Sequence, residues 1–520
     1  MSCLSDIRIV IVVSPLLYMK RDRDMLNQNS ILQYVQEDIK QKSDIDKSTF
    51  LKCAFSTLLR ERDFGSRQNA ILDSMYRIPI SCLSLDELNE HKSCLTMMPT
   101  DTGFSKEDNS FEAFECDDMW FSVPKYYGLH HWGQPCHDKS AKGKEISDDI
   151  VFKGKLKEDQ LHAVTMCINA LNKPGCCTGG MLVLPCGYGK TVVSLYVAFK
   201  MKIRTLVLVH KSFLVQQWQE RVATFLPTAS IGKIQRDTID FDCDFVIGMI
   251  QSISTRDYPE ETFKSFGLVI IDEAHHMSAP IFSKSLRKLA ASKTLALSAT
   301  PERKDGLTDL LYWSMGDIIY RVERKPEYLE VYMMIYNGGR KREHIRRDGK
   351  LCLPKMISEI SEDNARNRII SEIIQKLFLL ERHIILLTDR ISQLKDITTI
   401  LVEIGIPANQ IAFYIGTTPA AEREIAAERK IILSTYSMAK EGLDIPSLDT
   451  LILATPKGDI EQSVGRIQRP SSCKKTPMVI DIVDPFSLFN QLRWKRGRHY
   501  KKMNYEVKTV MCNDEELILS

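Results

Sequence analysis

What this 520-residue sequence lacks narrows its class first. No apolar run is long enough to cross a bilayer: the longest near the start, Ile9 to Leu17, is broken by Ser14 and Pro15 and falls well short of the roughly 20 residues a span needs. That run also lacks the basic leader and small-residue cleavage pattern of a signal peptide, so it reads as a buried strand of a protein expected inside a cell, away from membrane. The 14 cysteines include no Cys-x-x-Cys pair and no regular spacing, which argues against a disulfide framework and for reduced thiols in a reducing compartment. Cys116, His130, His131, Cys136 and His137 cluster along the chain, but their spacing matches no standard zinc site, and they read as loop and core residues. Net charge is only +3, so any surface for a polyanion has to be local.

What is present is ordinary globular material, 44% apolar and 26% charged, in a chain long enough for two or three domains. Up to about residue 148 the pattern is irregular, with polar stretches such as Gln36 to Ser48 and an acidic segment, Thr102 to Asp118; residues 1–148 read as a smaller N-terminal α+β accessory region. From Val151 apolar runs of strand length recur between segments of helical spacing: Met181 to Leu184, Thr205 to Val209, Phe245 to Ile250, Leu268 to Ile271, Thr294 to Leu297. A basic segment, Gly338 to Lys350, interrupts, and the alternation resumes at Ile384 to Leu387, Ile411 to Tyr414, Ile431 to Leu433, Thr450 to Leu453 and Met478 to Ile482. Buried strands alternating with helices predict α/β domains with parallel sheets, two in tandem over 149–322 and 323–485, followed by a basic tail, 486–520.

The first unit carries a phosphate-binding signature. Met181 to Leu184 runs as a strand into Pro185, Cys186, Gly187, Tyr188, Gly189, Lys190 and Thr191, then into a helix-compatible run to Ala198, which is the strand, loop and helix context of a relaxed P-loop. Leu184 stands where the strict pattern has its first glycine. Gly187 and Gly189 would let backbone N–H groups approach phosphate oxygens, Lys190 would hold the β- and γ-phosphates of ATP, and Thr191 would ligate Mg²⁺. About 80 residues on, the apolar strand from Leu268 ends in two carboxylates. At that spacing Asp272 would serve Mg²⁺ and Glu273 would orient and deprotonate the attacking water. A solvated helix cap is the bland reading of an Asp-Glu pair, and the P-loop upstream outweighs it.

Asp272-Glu-Ala-His275 resembles the DEAH box of superfamily 2 helicases, and Ser298-Ala-Thr300 resembles their third motif, thought to couple hydrolysis to movement; His275, Ser298 and Thr300 would have that role. Glu441-Gly-Leu-Asp-Ile-Pro446 is similar to the fifth motif, placing Gly442 and Asp444 at the ATP. Gln462-Ser-Val-Gly-Arg-Ile-Gln-Arg469 is similar to the Q-x-x-G-R-x-x-R motif, making Arg469 the arginine finger, Arg466 its γ-phosphate partner and Gln462 a neighbour of the attacking water. Gln160 sits where the family has an adenine-contacting glutamine. The resemblance covers about residues 150–485 and implies two tandem RecA-like domains with the ATP site between them. The i, i+3 spacing of Arg466 and Arg469 would let one helix aim both into that cleft.

The same resemblance places nucleic acid on Lys211 and Gln217, with Trp218 either a core or a base-stacking residue, on Gly248 to Ser252 with Gln251, and in the second domain on Arg390 and Thr435. Two basic stretches lie outside the motifs, Arg340 to Arg347 and Arg493 to Lys502, the second with Trp494 and Tyr500 interleaved in a manner compatible with backbone contact and stacking. Leu184-Pro-Cys-Gly-x-Gly-Lys190 is close to the P-loop of XPB, and Val123 to Gly133, Asp481 to Pro485 and Arg498-x-Tyr500 resemble helicases of large cytoplasmic DNA viruses, relatives of the poxvirus transcript-release helicase. That implies a DNA-dependent ATPase that unwinds or translocates on DNA, acting with a transcription complex in host cytoplasm or virion; a monomer is expected, though no motif fixes the oligomeric state. Motion on duplex DNA without strand separation, RNA as the track, and an ATP-switched nucleic-acid clamp stay open.

Overall fold

A parallel sheet covered by helices hides its strands on both faces, which is what aliphatic runs of strand length require. The computed structural model describes residues 69–98, 110–185, 187–274, 279–302, 306–323, 328–339, 341–416, 418–441, 445–469 and 475–512, and among them these runs build two such sheets. The first has eight strands in the order Thr238–Ile239, Ile231–Gln235, Phe245–Met249, Thr205–Val209, Leu268–Ile271, Lys293–Ser298, Thr178–Val183, Ile318–Arg321. Only the edge pair, Ile231–Gln235 with Thr238–Ile239, is antiparallel. The second has seven strands, all parallel, in the order Ile411–Tyr414, Ile431–Thr435, Ile384–Thr388, Thr450–Leu453, Met478–Val483, Glu330–Ile335, Glu506–Met511.

Parallel register aligns the carboxyl ends of neighbouring strands, and loops at that edge are where α/β sheets bind ligands. Val183 pairs with Ser298, and Ile271 with Ala296, so the P-loop, the two carboxylates and the Ser298 turn all leave one edge of the first sheet. Thr388 pairs with Thr435 on the corresponding edge of the second.

The segment expected to be a tail is part of the second lobe. Glu506–Met511 is an edge strand beside Glu330–Ile335, reached through the helix Ser487–Lys502. Arg496 is buried in that helix because Asp481, in the middle of a buried strand, needs a cation: Arg496 Nε donates to Asp481 Oδ2 at 2.8 Å and the Tyr500 hydroxyl donates to the same oxygen at 3.1 Å. Basic composition alone hides that pairing. The basic interruption is likewise ordered from Lys341: Ile345 bridges Leu351 in a hairpin, and Cys352 N–H donates to His344 O at 2.5 Å. Arg340 and Ile9 to Leu17 lie outside the described residues.

Ahead of the first sheet, a five-stranded sheet orders Glu115–Cys116, Trp120–Val123, Tyr76–Pro79, Ile71–Leu72 and His137–Asp138. It is anchored by polar contacts as well as apolar ones: buried Lys125 donates to Leu289 O and Ala291 O, and Arg287 pairs with Glu115 at 2.8 Å. Among the described residues no helix is long and apolar enough to cross a membrane.

Candidate nucleotide site

The strand Thr178–Val183 is almost wholly buried, so its carboxyl end is a fixed point. Leu184 N–H donates to Ser298 O at 3.0 Å, after which the chain turns into the helix Lys190–Met201. Gly187 and Gly189 make the turn at φ of 82° and 91°, where a Cβ would be strained. The turn leaves helix N–H groups facing outward, a cradle for an anion that Lys190 and Thr191 border. Pro185 and Tyr188 line the turn, closed by Tyr188 N–H to Pro185 O at 3.2 Å. Cys186 lies outside the described residues.

Across the Ser298 strand, Asp272 and Glu273 follow Leu268–Ile271. Glu273 has φ of 48°, a left-handed conformation rare for a residue with a Cβ and concentrated at functional sites. It brings Glu273 Oε1 within 3.2 Å of Lys190 Nζ, with both side chains mostly shielded from water. Asp272 is buried, and its Oδ2 accepts the indole N–H of Trp218 at 2.9 Å. Burial, reinforced by the neighbouring Glu273 charge, pushes the Asp272 carboxyl up to about 6, while the Trp218 hydrogen bond pulls it down. Sequence reasoning left Trp218 between core and base stacking and missed this role. The available signal was its position among Leu214, Val215 and Val222 on the buried face of Ser212–Phe225, because a buried indole N–H needs an acceptor.

Gln160 reaches the same loop: its Nε2 donates to Tyr188 O at 2.7 Å and its Oε1 accepts from Lys157 N–H at 3.0 Å. Thr300 N–H donates to Ser298 Oγ at 3.1 Å, tying the turn beside the P-loop.

In the second lobe Gln462 is buried in the helix Glu461–Ile467. The two arginines do not share that helix. It ends at Ile467, as suits the approach of Pro470, whose ring disfavours helical backbone just before it. Arg466 donates from Nε to Ala439 O at 2.9 Å, and Arg469, beyond the helix, lies against the P-loop: a methyl on Gly187 would come 3.3 Å from its Cγ. His275, Gly442 and Asp444 lie outside the described residues.

A cationic lysine, a carboxylate beside it and an arginine from a second lobe around a Gly-rich turn can bind and polarise a nucleoside triphosphate. Residues 153–303 match the family model described as type III restriction enzyme, res subunit. Over 440 residues the chain is 34% identical to L396 of Acanthamoeba polyphaga mimivirus, by name an ATP-dependent RNA helicase, covering 82% of this chain and 84% of that protein. The chain belongs to helicase superfamily 2. QP509L of African swine fever virus (strain Badajoz 1971 Vero-adapted), also an ATP-dependent RNA helicase by name, is 26% identical over 357 residues, 63% of this chain and 69% of its own length. The fold is shared with a fragment described as an HsdR subunit of a type I restriction enzyme from Vibrio vulnificus YJ016, at a TM-score of 0.50 and 16% identity over 71% of each chain.

As a superfamily 2 helicase the protein is a nucleic-acid-dependent ATPase, and the residues expected from the sequence to meet nucleic acid are spread over both lobes. Lys211 precedes the helix Ser212–Phe225, on which Gln217 is half-buried, and Gln251 Nε2 donates to His210 O at 2.9 Å. Thr435 Oγ1 lies 3.1 Å from Ser437 Oγ. Arg390 is occupied within its own lobe, donating to Ser358 Oγ at 3.0 Å, Pro354 O at 2.6 Å and Asp389 O at 3.0 Å, so it braces the helix Leu353–Ser361.

Proposed function

We propose that this helicase is a DNA-tracking motor that hydrolyses ATP between its lobes and unwinds DNA or displaces bound RNA, in viral transcription termination or transcript release. The observation that carries the ATPase half is the Lys190 to Glu273 distance of 3.2 Å with Arg469 packed on Gly187. In this reading Lys190 binds the β- and γ-phosphates, Glu273 takes the proton of the attacking water, and Arg469 offsets charge that develops on the γ-phosphoryl oxygens. In the same reading Gln462 would neighbour the attacking water, and Arg466, whose Nε donates to Ala439 O, would be the γ-phosphate partner of Arg469. Thr191 and buried Asp272 are the donors that fit Mg²⁺, a hydroxyl and a carboxylate at the P-loop; the ion would neutralise phosphate charge.

DNA as the track is supported by the XPB-like P-loop and by the match to a restriction-enzyme family model. The names of the mimivirus and African swine fever virus relatives favour a second reading, RNA as the track. ATP turnover by the purified chain with no nucleic acid, single-stranded DNA, duplex DNA or RNA, run beside Glu273→Gln, decides between them. DNA stimulation lost in the variant is the expected result, RNA stimulation alone moves the track to RNA, and turnover retained by Glu273→Gln overturns the site.

A further inference from the structure

The helix Ser487–Lys502 contains six Lys and Arg residues and no Asp or Glu, in a chain whose total is only +3, so the rest of the protein is net acidic. Its two sides differ. Phe489, Arg496 and Tyr500 face the second-lobe core, spaced as one helical stripe. On the other side Trp494 is 69% exposed, and Lys495, Arg498, Lys501 and Lys502 are exposed around it. Of the five tryptophans Trp494 alone is exposed, and it stands amid cations on a helix anchored by the buried Arg496–Asp481 ion pair.

The patch is continuous with the motif edge of the lobe. Lys457 Nζ holds Asp389 at 3.0 Å in the loop after Ile384–Thr388, and Lys457 O accepts from Arg496 Nη1 at 2.8 Å. The Lys495 stem packs at 3.2 Å from where a methyl on Gly458 would stand. We propose that this helix face is a nucleic-acid site outside the helicase motifs, which takes a single-stranded polynucleotide by stacking an unpaired base on Trp494 and pairing phosphates with Arg498, Lys501 and Lys502. A duplex keeps its bases stacked internally and offers Trp494 none, which is why the occupant is a single strand. The proposal rests on the motor reading above.

The test is equilibrium binding of fluorescently labelled oligonucleotides to the full chain, with DNA, RNA and abasic DNA arms, comparing wild type, Trp494→Ala, Trp494→Phe and Arg498→Glu/Lys501→Glu. Thermal melting verifies that each variant folds. Trp494→Ala weakens binding of the base-bearing strand about tenfold and leaves abasic binding unchanged, and Trp494→Phe recovers most of the loss. The double charge variant weakens both and lowers the slope of log affinity against log salt by about 1.4. Whichever of DNA and RNA shows the Trp494 effect is the source of the strand. Wild-type affinity in Trp494→Ala, with wild type itself binding, overturns this site and leaves the motor intact; no binding of any polynucleotide by wild type overturns both.

Discussion

Replacing Trp218 by Phe removes one hydrogen-bond donor from a buried carboxylate and keeps most of the apolar packing. Trp218 is 1% exposed and its N–H lies 2.9 Å from Asp272 Oδ2, so neither partner has water to fall back on. A hydrogen bond to a charged group contributes about 1.5–3 kcal/mol, and an unsatisfied buried acceptor costs a similar amount. If that energy serves to hold Asp272 in the orientation that meets Mg²⁺, its loss raises the half-saturating Mg²⁺ concentration roughly 10- to 150-fold. Loss of an outer hydrogen bond to a metal ligand typically costs about 10- to 100-fold, which agrees. The assay is ATP turnover in Trp218→Phe against total Mg²⁺, at saturating ATP and nucleic acid, beside a thermal melt. Turnover at high Mg²⁺ should approach the wild-type value, because the carboxylate is still present. A lowered melting temperature with an unchanged Mg²⁺ midpoint would refute the positioning role and make Trp218 a core residue alone.

Three further outcomes follow from the site and the second lobe. If Arg469 is the arginine finger proposed above, Arg469→Ala should lower kcat by about 10³-fold with a small change in the KM for ATP, read from steady-state kinetics, because such a guanidinium acts on charge that grows in the transition state. The raised Asp272 carboxyl destabilises the fold once it ionises: the penalty is absent below its ordinary value near 3.8, grows as pH rises, and is complete above about 6. In metal-free buffer Asp272→Asn should therefore melt higher than wild type at pH 7.5 and at the same temperature near pH 4; equal melting across that range would contradict the burial argument. Arg496→Ala should destabilise the second lobe by about 3–5 kcal/mol in a denaturant titration, because it strands Asp481 as a buried charge.

Much of the architecture was legible because it is written in local patterns. The predominantly aliphatic runs at Thr205–Val209, Leu268–Ile271 and Ile384–Leu387 announce strands buried on both faces, and each is found so. Glycines at positions 187 and 189 followed by Lys190 and Thr191 mark a turn whose backbone few other sequences permit. After Pro485 the basic composition did not reveal the edge strand Glu506–Met511 or the contact of Arg496 with Asp481, 15 residues away.

The sequence by itself determined the central strands of both sheets and the chemistry that follows them at the P-loop and at Asp272 and Glu273, since strand burial and P-loop backbone geometry depend on neighbours along the chain. Only the tertiary structure decided which groups meet. Lys190 reaches Glu273 across 83 positions, Trp218 reaches Asp272 across 54, and Arg469 arrives at Gly187 from another lobe. Parallel sheet register and lobe packing set those distances, and a pattern read along one chain does not contain them.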